Sequence, residues 1–275
     1  WSSDVCSSDL FTKGSPVKTV ILCGGYGTRI RDVADDIPKP MIPVGRLPIL
    51  WHLMKYYASF GYDEFILCLG HKGHVIKDFF INYETSTRDV TVKLGSSNEI
   101  LFHTKHDESS WKVTLADTGT ETMTGGRIAK VKKYVENERF FLTYGDGLSD
   151  VNLPALLDFH IKQKTVATVT GVRPPGRFGE LTISSNGVAQ QFNEKPQASE
   201  GRISGGFFVC EPSIFDVLPE QDDLVFEEAP LRTLVSQSQL SVFEHNGFWQ
   251  CMDTYRDWQL LNSLEKSAKA PWKTW

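Results

Sequence analysis

The chain has 275 residues, enough for one large or two small domains with a substantial buried core. A formal net charge of −5 argues against a general nucleic-acid coat or a basic membrane surface, and no apolar run approaches the ~18–20 residues of a membrane span. The scattered cysteines (Cys6, Cys23, Cys68, Cys210, Cys251) sit mostly in apolar runs and read as small buried hydrophobes in a reducing compartment, the cytoplasm.

Residues 1–16 repeat a Ser-Ser-Asp unit and lack the basic and apolar regions of a secretory signal. They read as a foreign or disordered leader, with 17–275 as a single domain. From Lys18 the pattern alternates strand, loop and helix. Residues 19–23 form a β-branched strand. Residues 47–60 place Leu50, Leu53, Met54 and Tyr57 on one helical face, with Gly61 as the stop. A buried strand over 64–70 precedes a helix over 74–83 and a short strand over 91–94. Residues 98–117 are polar, with one strand around Val113 and Leu115. A Gly- and Thr-rich loop, 118–127, leads into a helical pattern over 128–135. Next come a strand over 140–144, the turn Gly145-Asp146-Gly147 and a helix over 153–162 with Pro154 in its first turn.

The last third carries more strand. It runs 166–172, a hairpin about Asn186-Gly187, 206–210 and 241–245, with helices over 227–235 and from Tyr255 through Leu264. Strands alternating with helices predict an α/β fold: a Rossmann-like, mixed but mostly parallel sheet flanked by helices, with a β-rich C-terminal extension.

One stretch concentrates chemistry. Val20-Ile-Leu22 feeds Gly24-Gly25-Tyr-Gly27-Thr28-Arg29, and Pro38-Lys39-Pro40-Met41 follows. A glycine loop exposes backbone N–H groups, and Arg29 and Lys39 add fixed positive charge suited to phosphate oxygens. Taken alone, Gly24 to Gly27 reads equally well as an ordinary turn. The stretch is not a Walker A loop, since no Gly-Lys-Ser or Gly-Lys-Thr occurs in the chain, and Ile30 stands where a dinucleotide fingerprint needs its third glycine. Asp146, just beyond a strand, is well placed for a ligand role or for a plain turn. Asp253 reads as a helix cap, a ligand, or both.

In combination these motifs resemble the signature of the sugar-1-phosphate nucleotidylyltransferases. Met123-Thr-Gly-Gly-Arg127, Pro174-Pro-Gly-Arg-Phe-Gly179, Glu194-Lys195-Pro196, Gly205-Gly206-Phe-Phe-Val209 and Met252-Asp253-Thr254 extend the resemblance to the C-terminus. The resemblance implies transfer of a cytidylyl group from CTP to α-D-glucose 1-phosphate, giving CDP-glucose and diphosphate for deoxysugar or surface-polysaccharide (lipopolysaccharide, O-antigen) synthesis. It implies that Leu22, the glycine loop with Thr28 and Arg29, Lys39, Thr122 and Arg127 meet the nucleotide, with Arg29, Lys39 and Asp146 catalytic. It further implies that Asp146 and Asp253 hold Mg²⁺, that Gly179, Glu194, Lys195, Gly205 and Gly206 meet the sugar phosphate, and that the protein is a homo-oligomer without nucleic-acid or membrane partners.

UTP or dTTP specificity, a non-catalytic nucleotide-sugar-binding regulatory subunit and a metal-dependent glycosyltransferase are the rival readings. Cys23, where the signature commonly has alanine, makes thiol sensitivity of the site an expectation. The close pairs His71/His74 and His103/His106 lack the partners of a zinc site and read as surface histidines. Trp249 reads as core or as sugar-pocket lining.

Overall fold

The computed structural model describes residues 17–25, 36–95, 99–135, 137–173, 180–184, 188–193 and 201–275, with backbone alone for 180–183 and 191–193. Strand β1 (Lys18–Leu22) is followed by a short hairpin, β2 (Pro43–Val44) and β3 (Leu47–Pro48), and by α1 (Ile49–Ala58). Then come β4 (Glu64–Leu69), α2 (Gly73–Ile81), α3 (Tyr83–Thr87) and the hairpin β5 (Val90–Lys93) with β6 (Glu99–Phe102). After β7 (Lys112–Asp117) lie α4 (Thr124–Lys130), α5 (Lys132–Val135), β8 (Phe140–Tyr144), β9 (Gly147–Ser149) and α6 (Leu153–Gln163). The remainder is β10 (Ala167–Val172), the hairpin β11 (Glu180–Ile183) with β12 (Ala189–Asn193), β13 (Ile203–Cys210), α7 (Ala229–Ser236), β14 (Leu240–His245), β15 (Trp249–Cys251) and α8 (Tyr255–Lys266).

Seven strands form the central sheet in the order β14-β10-β13-β8-β1-β4-β7. All neighbours are parallel except β13, which runs antiparallel to both β8 and β10. The expected β-rich extension therefore resolves differently. Strands β10, β13 and β14 complete the central sheet, and the hairpin β11–β12 stands apart as its own two-stranded unit.

Strand side chains alternate between faces, so continuous apolar runs imply helices on both sides. Ile21, Phe65, Leu67 and Phe141 face the layer containing Leu50, Leu53 and Met54 of α1. Val20, Leu22, Ile66, Phe140 and Leu142 face the layer with Ile128 of α4 and Leu234 of α7. Phe140, Phe141, Phe207 and Phe208 are essentially fully buried, each worth ~1.5–3 kcal/mol of transfer free energy. The C-terminal segment seals one side: buried Trp272 sits edge-on to His52 and 5.6 Å from Phe248.

This topology assembles a site. The carboxyl ends of β1, β4, β7 and β8 lie along one edge, where open α/β sheets bind ligands. Because β13 is reversed, its early residues reach the same edge: Phe207 pairs with Thr143, which puts Gly205 and Gly206 beside Tyr144.

Candidate active site

The loop leaving β1 opens a cleft of about 270 Å³ lined in part by Leu22, Gly24, Gly25, Lys39, Tyr144 and Asp146. Lys39 enters on a tight turn, Lys39–Met41, closed by a 2.8 Å bond from the Met41 N–H to the Pro38 carbonyl. The flanking prolines fix φ there and limit the lysine backbone to few alternatives. Its Nζ lies 2.5 Å from Asp146 Oδ2 and 2.5 Å from Asp253 Oδ1. Burial opposes the charge on Lys39, but the two carboxylates outweigh it and raise its pKa above the ordinary lysine value.

Both carboxylates are placed by one small two-stranded unit. Asp146 precedes β9 and Asp253 follows β15; Gln250 pairs with Leu148, and the Met252 N–H bonds the Asp146 carbonyl at 2.9 Å. A second, smaller cleft shares Asp146 and Tyr144 with the first. Gly205, Gly206, Trp249 and Cys251 line it, and the Trp249 indole N–H donates to the Gly205 carbonyl at 2.7 Å. Trp249 thus both lines the cleft and packs against the core, fixed to β13. Gly206 has φ +76°, and a Cβ there would come 2.7 Å from the Tyr144 ring.

Arg127 also reaches the first cleft, but its guanidinium is held within the protein. Nη1 donates to the Leu69 carbonyl (3.0 Å), Thr118 Oγ1 (2.8 Å) and the Gly119 carbonyl (2.7 Å); Nη2 donates to the carbonyls of Gly24 (3.1 Å) and Thr120 (3.3 Å). One buried cation thereby ties the ends of β1, β4 and β7. A Cβ on Gly24 would lie 2.1 Å from Arg127 Cζ, and one on Gly70 would lie 2.4 Å from Nη1. The first glycine of the loop is therefore small for the arginine's sake.

Thr122 is likewise engaged internally. Its hydroxyl donates to Asp222 Oδ1 (3.1 Å) and accepts from Lys130 Nζ (3.1 Å); Lys130 Nζ also meets Asp222 Oδ1 directly at 2.6 Å, and the bonds from Lys130 and Thr122 hold the Asp222 carboxyl below its ordinary range. Gly125 and Gly126 press against the carbonyls of Leu224 and Gln221, which accounts for the paired glycines at the start of α4.

Sequence reasoning did not reach Tyr144, whose hydroxyl donates to Glu227, or Glu227, which also accepts from Thr124 Oγ1 at 2.6 Å. The aromatic residue directly before Gly145-Asp146-Gly147 was the available signal. Burial drives the Cys23 thiol well above its ordinary pKa, which argues against the expected thiol sensitivity. His106 pairs with Glu84 and Glu108, and no cluster of three or more metal-ligating side chains occurs among the described residues. Gly27, Thr28, Arg29, Gly179, Glu194 and Lys195 lie outside the described residues.

A glycine-bearing loop at the carboxyl edge of an α/β sheet, beside a lysine gripped by two carboxylates, is an arrangement suited to phosphate esters. Residues 18–257 match the family model described as nucleotidyl transferase. The glucose-1-phosphate cytidylyltransferase of Salmonella typhi is 47% identical over 260 residues, 94% of this chain and 100% of that protein. A Bacillus subtilis protein described as a probable glucose-1-phosphate cytidylyltransferase is 43% identical over 259 residues, again 94% and 100%. Among solved structures, a UDP-glucose pyrophosphorylase complexed with UDP-glucose superposes with a TM-score of 0.63 at 15% identity, covering 92% of this chain and 99% of that one. The chain belongs to the nucleotidyl transferase family.

Proposed function

We propose that this enzyme transfers the cytidylyl group of CTP to α-D-glucose 1-phosphate, giving CDP-glucose and diphosphate. The observation that carries the reading is that Asp146 lines two clefts, one with Gly24 and Gly25 and one with Gly205 and Gly206. A carboxylate shared by two neighbouring clefts can serve two substrates that must be brought together and aligned for in-line displacement at a phosphorus. The identity to the Salmonella typhi enzyme supports the choice of CTP and glucose 1-phosphate.

Both reactants are anions, so rate enhancement rests on charge neutralisation and alignment. Lys39, held in place by its prolines, stabilises charge developing on the α-phosphate. The loop N–H groups from Gly24 onward receive the triphosphate, with Arg29 assigned to the leaving diphosphate. Glu194 and Lys195 are assigned to the sugar phosphate.

Asp146 and Asp253 fit a divalent cation. Each presents a hard carboxylate oxygen to one ammonium at 2.5 Å, so the Nζ of Lys39 marks a position where two anionic donors converge on positive charge. Two carboxylates completed by substrate phosphates suit Mg²⁺, which keeps few protein ligands. When bound, Mg²⁺ supplies charge neutralisation at the phosphates.

No helix among the described residues is long and apolar enough to cross a membrane, and a cytoplasmic homo-oligomer is part of the proposal. The test is diphosphate release with four nucleoside triphosphates and several sugar 1-phosphates. CTP with glucose 1-phosphate is expected to give the highest kcat/KM, and a better pair overturns the substrate assignment. Lys39→Ala is expected to lower kcat ~10²-fold or more; near-normal turnover removes Lys39 from the chemistry.

A further inference from the structure

Asp257 belongs to α8 and lines neither cleft, yet it gathers more hydrogen bonds than a helix cap needs. Thr254 and Asp257 form a capping box: the Asp257 N–H bonds Thr254 Oγ1, and Asp257 reaches back to the Thr254 N–H at 2.8 Å. That reciprocal pair completes the motif. Asp257 Oδ2 accepts two further donors, the Thr254 hydroxyl at 2.9 Å and the backbone N–H of Asp253 at 3.1 Å. Its other oxygen, Oδ1, accepts from Gln250 Nε2 at 3.0 Å.

The extra bonds run to the residues that place the carboxylate pair. Gln250 is buried in β15 opposite Leu148 of β9, and its amide also donates to the Cys251 carbonyl at 2.7 Å. Strand β9 begins at Gly147, directly after Asp146. Asp257 thus holds the backbone of Asp253 with one oxygen and, through Gln250, the strand pair that carries Asp146 with the other. Bonds to an ionised acceptor are about twice as strong as neutral ones, so this carboxylate is a stiff fixture for its size.

We infer that Asp257 is a positioning residue that sets the relative placement of Asp146 and Asp253 and so the affinity of that pair for a divalent cation. The inference rests on the assignment of those two aspartates to the metal. The chemistry follows from what each ligand lacks by itself. Asp253 stands at a strand-to-helix junction, where its side-chain direction depends on the backbone immediately behind it. Releasing its N–H from Asp257 and freeing Gln250 removes both restraints while leaving the two carboxylates in the protein.

The test is direct binding of Mn²⁺ alone, followed by the electron paramagnetic resonance signal of free Mn²⁺, with thermal unfolding recorded in parallel. Asp257→Asn keeps the volume and one acceptor oxygen for the cap, but it cannot accept from both the Asp253–Thr254 amides and Gln250 in their present orientation. It is expected to raise the Mn²⁺ dissociation constant ~10-fold or more, the usual effect of losing an outer-sphere partner. Thr254→Ala is the control: it removes the cap hydroxyl but leaves the bonds to Asp253 and Gln250, and is expected to change Mn²⁺ binding less than ~2-fold for a helix-cap loss of ordinary size.

Mn²⁺ binding in Asp257→Asn within twofold of the parent overturns the inference, as does an equal loss in Thr254→Ala. Asp253→Asn separates the two readings. Binding that survives it removes the carboxylate pair as the cation's seat and the inference with it, whereas binding lost in Asp253→Asn and intact in Asp257→Asn removes the inference alone.

Discussion

The Arg127 clasp yields a quantitative prediction. Replacing Arg127 with Ala leaves the carbonyls of Gly24, Gly119 and Thr120 without the donor the guanidinium provides, while the Leu69 carbonyl keeps the N–H and hydroxyl of Thr118. At ~1–1.5 kcal/mol for each of three bonds the loss is ~3–4.5 kcal/mol. Gly24→Ala reaches the same end by another route: the new Cβ, 2.1 Å from Cζ, expels the guanidinium and forfeits the same bonds. With Arg127 already truncated the methyl has room, and the added cost falls to roughly 0.5 kcal/mol or less, the ordinary range for a harmless substitution. The cycle Arg127→Ala, Gly24→Ala and the double variant therefore shows a coupling of ~2.5–4 kcal/mol. Urea unfolding followed by tryptophan fluorescence at one protein concentration reads it. Additive losses would refute the reasoning, because they require the glycine and the arginine to act independently.

Three further outcomes follow from the same structure. Burial lowers the pKa of His52 and His160 below the ordinary histidine value, so the unfolded chain binds more protons near and below pH ~6.5. Stability is therefore full above that range and is lost as pH falls through it, by up to ~1.4 kcal/mol per pH unit per group; His160→Gln flattens the profile measured by urea unfolding between pH 7.5 and 5.5, and an unchanged slope contradicts the assignment. Burial raises the thiols of Cys23, Cys68, Cys210 and Cys251, with Cys68 and Cys251 pushed up to about 12, so none of the four reacts rapidly with a disulfide reagent at pH 8 until the chain is unfolded; fast modification of Cys23 in the folded enzyme would oppose this. Trp272→Ala, which vacates a fully buried site against His52 and Phe248, costs ~3–5 kcal/mol in the same unfolding assay, and a loss below 1 kcal/mol would mean the C-terminal segment is not packed as described.

The central strands were legible because burial on both faces leaves uninterrupted apolar runs such as residues 65–69 and 140–142, which nothing else in a chain of this composition explains. Strand direction was not. The side-chain pattern of β13 is the same whether it runs with or against β8, so the reversal that brings Gly205 and Gly206 to the site is absent from the pattern. Strands of two or three residues (β2, β3, β9, β15) are too short for a period to show. The start of α4 was hidden because Gly125 and Gly126, poor helix formers, are required there by close approach to Leu224 and Gln221.

In the site, Lys39, Asp146 and Asp253 come together, having been singled out by charge, by position after a strand and by family resemblance. Arg127 and Thr122 were identified by motif, but their partners lie on other elements and only packing reveals them. Asp257 carried the ordinary signature of a helix cap, and nothing in its spacing announces the bond to Gln250.

The order in which the chain is made bears on the paired carboxylates. Lys39 and Asp146 are 107 residues apart, and Lys39 and Asp253 are 214. During synthesis the glycine loop, the lysine and the first carboxylate leave the ribosome long before the second, and at about 5–20 residues per second the interval from Asp146 to Asp253 is ~5–20 s. Throughout it the nascent protein holds Gly24, Gly25 and Lys39 without the complete anionic pair. Under the proposed assignment of Asp253, catalytic competence arrives in one late step, when β15 and the start of α8 dock, and chains ending before Asp253 are expected to be inert.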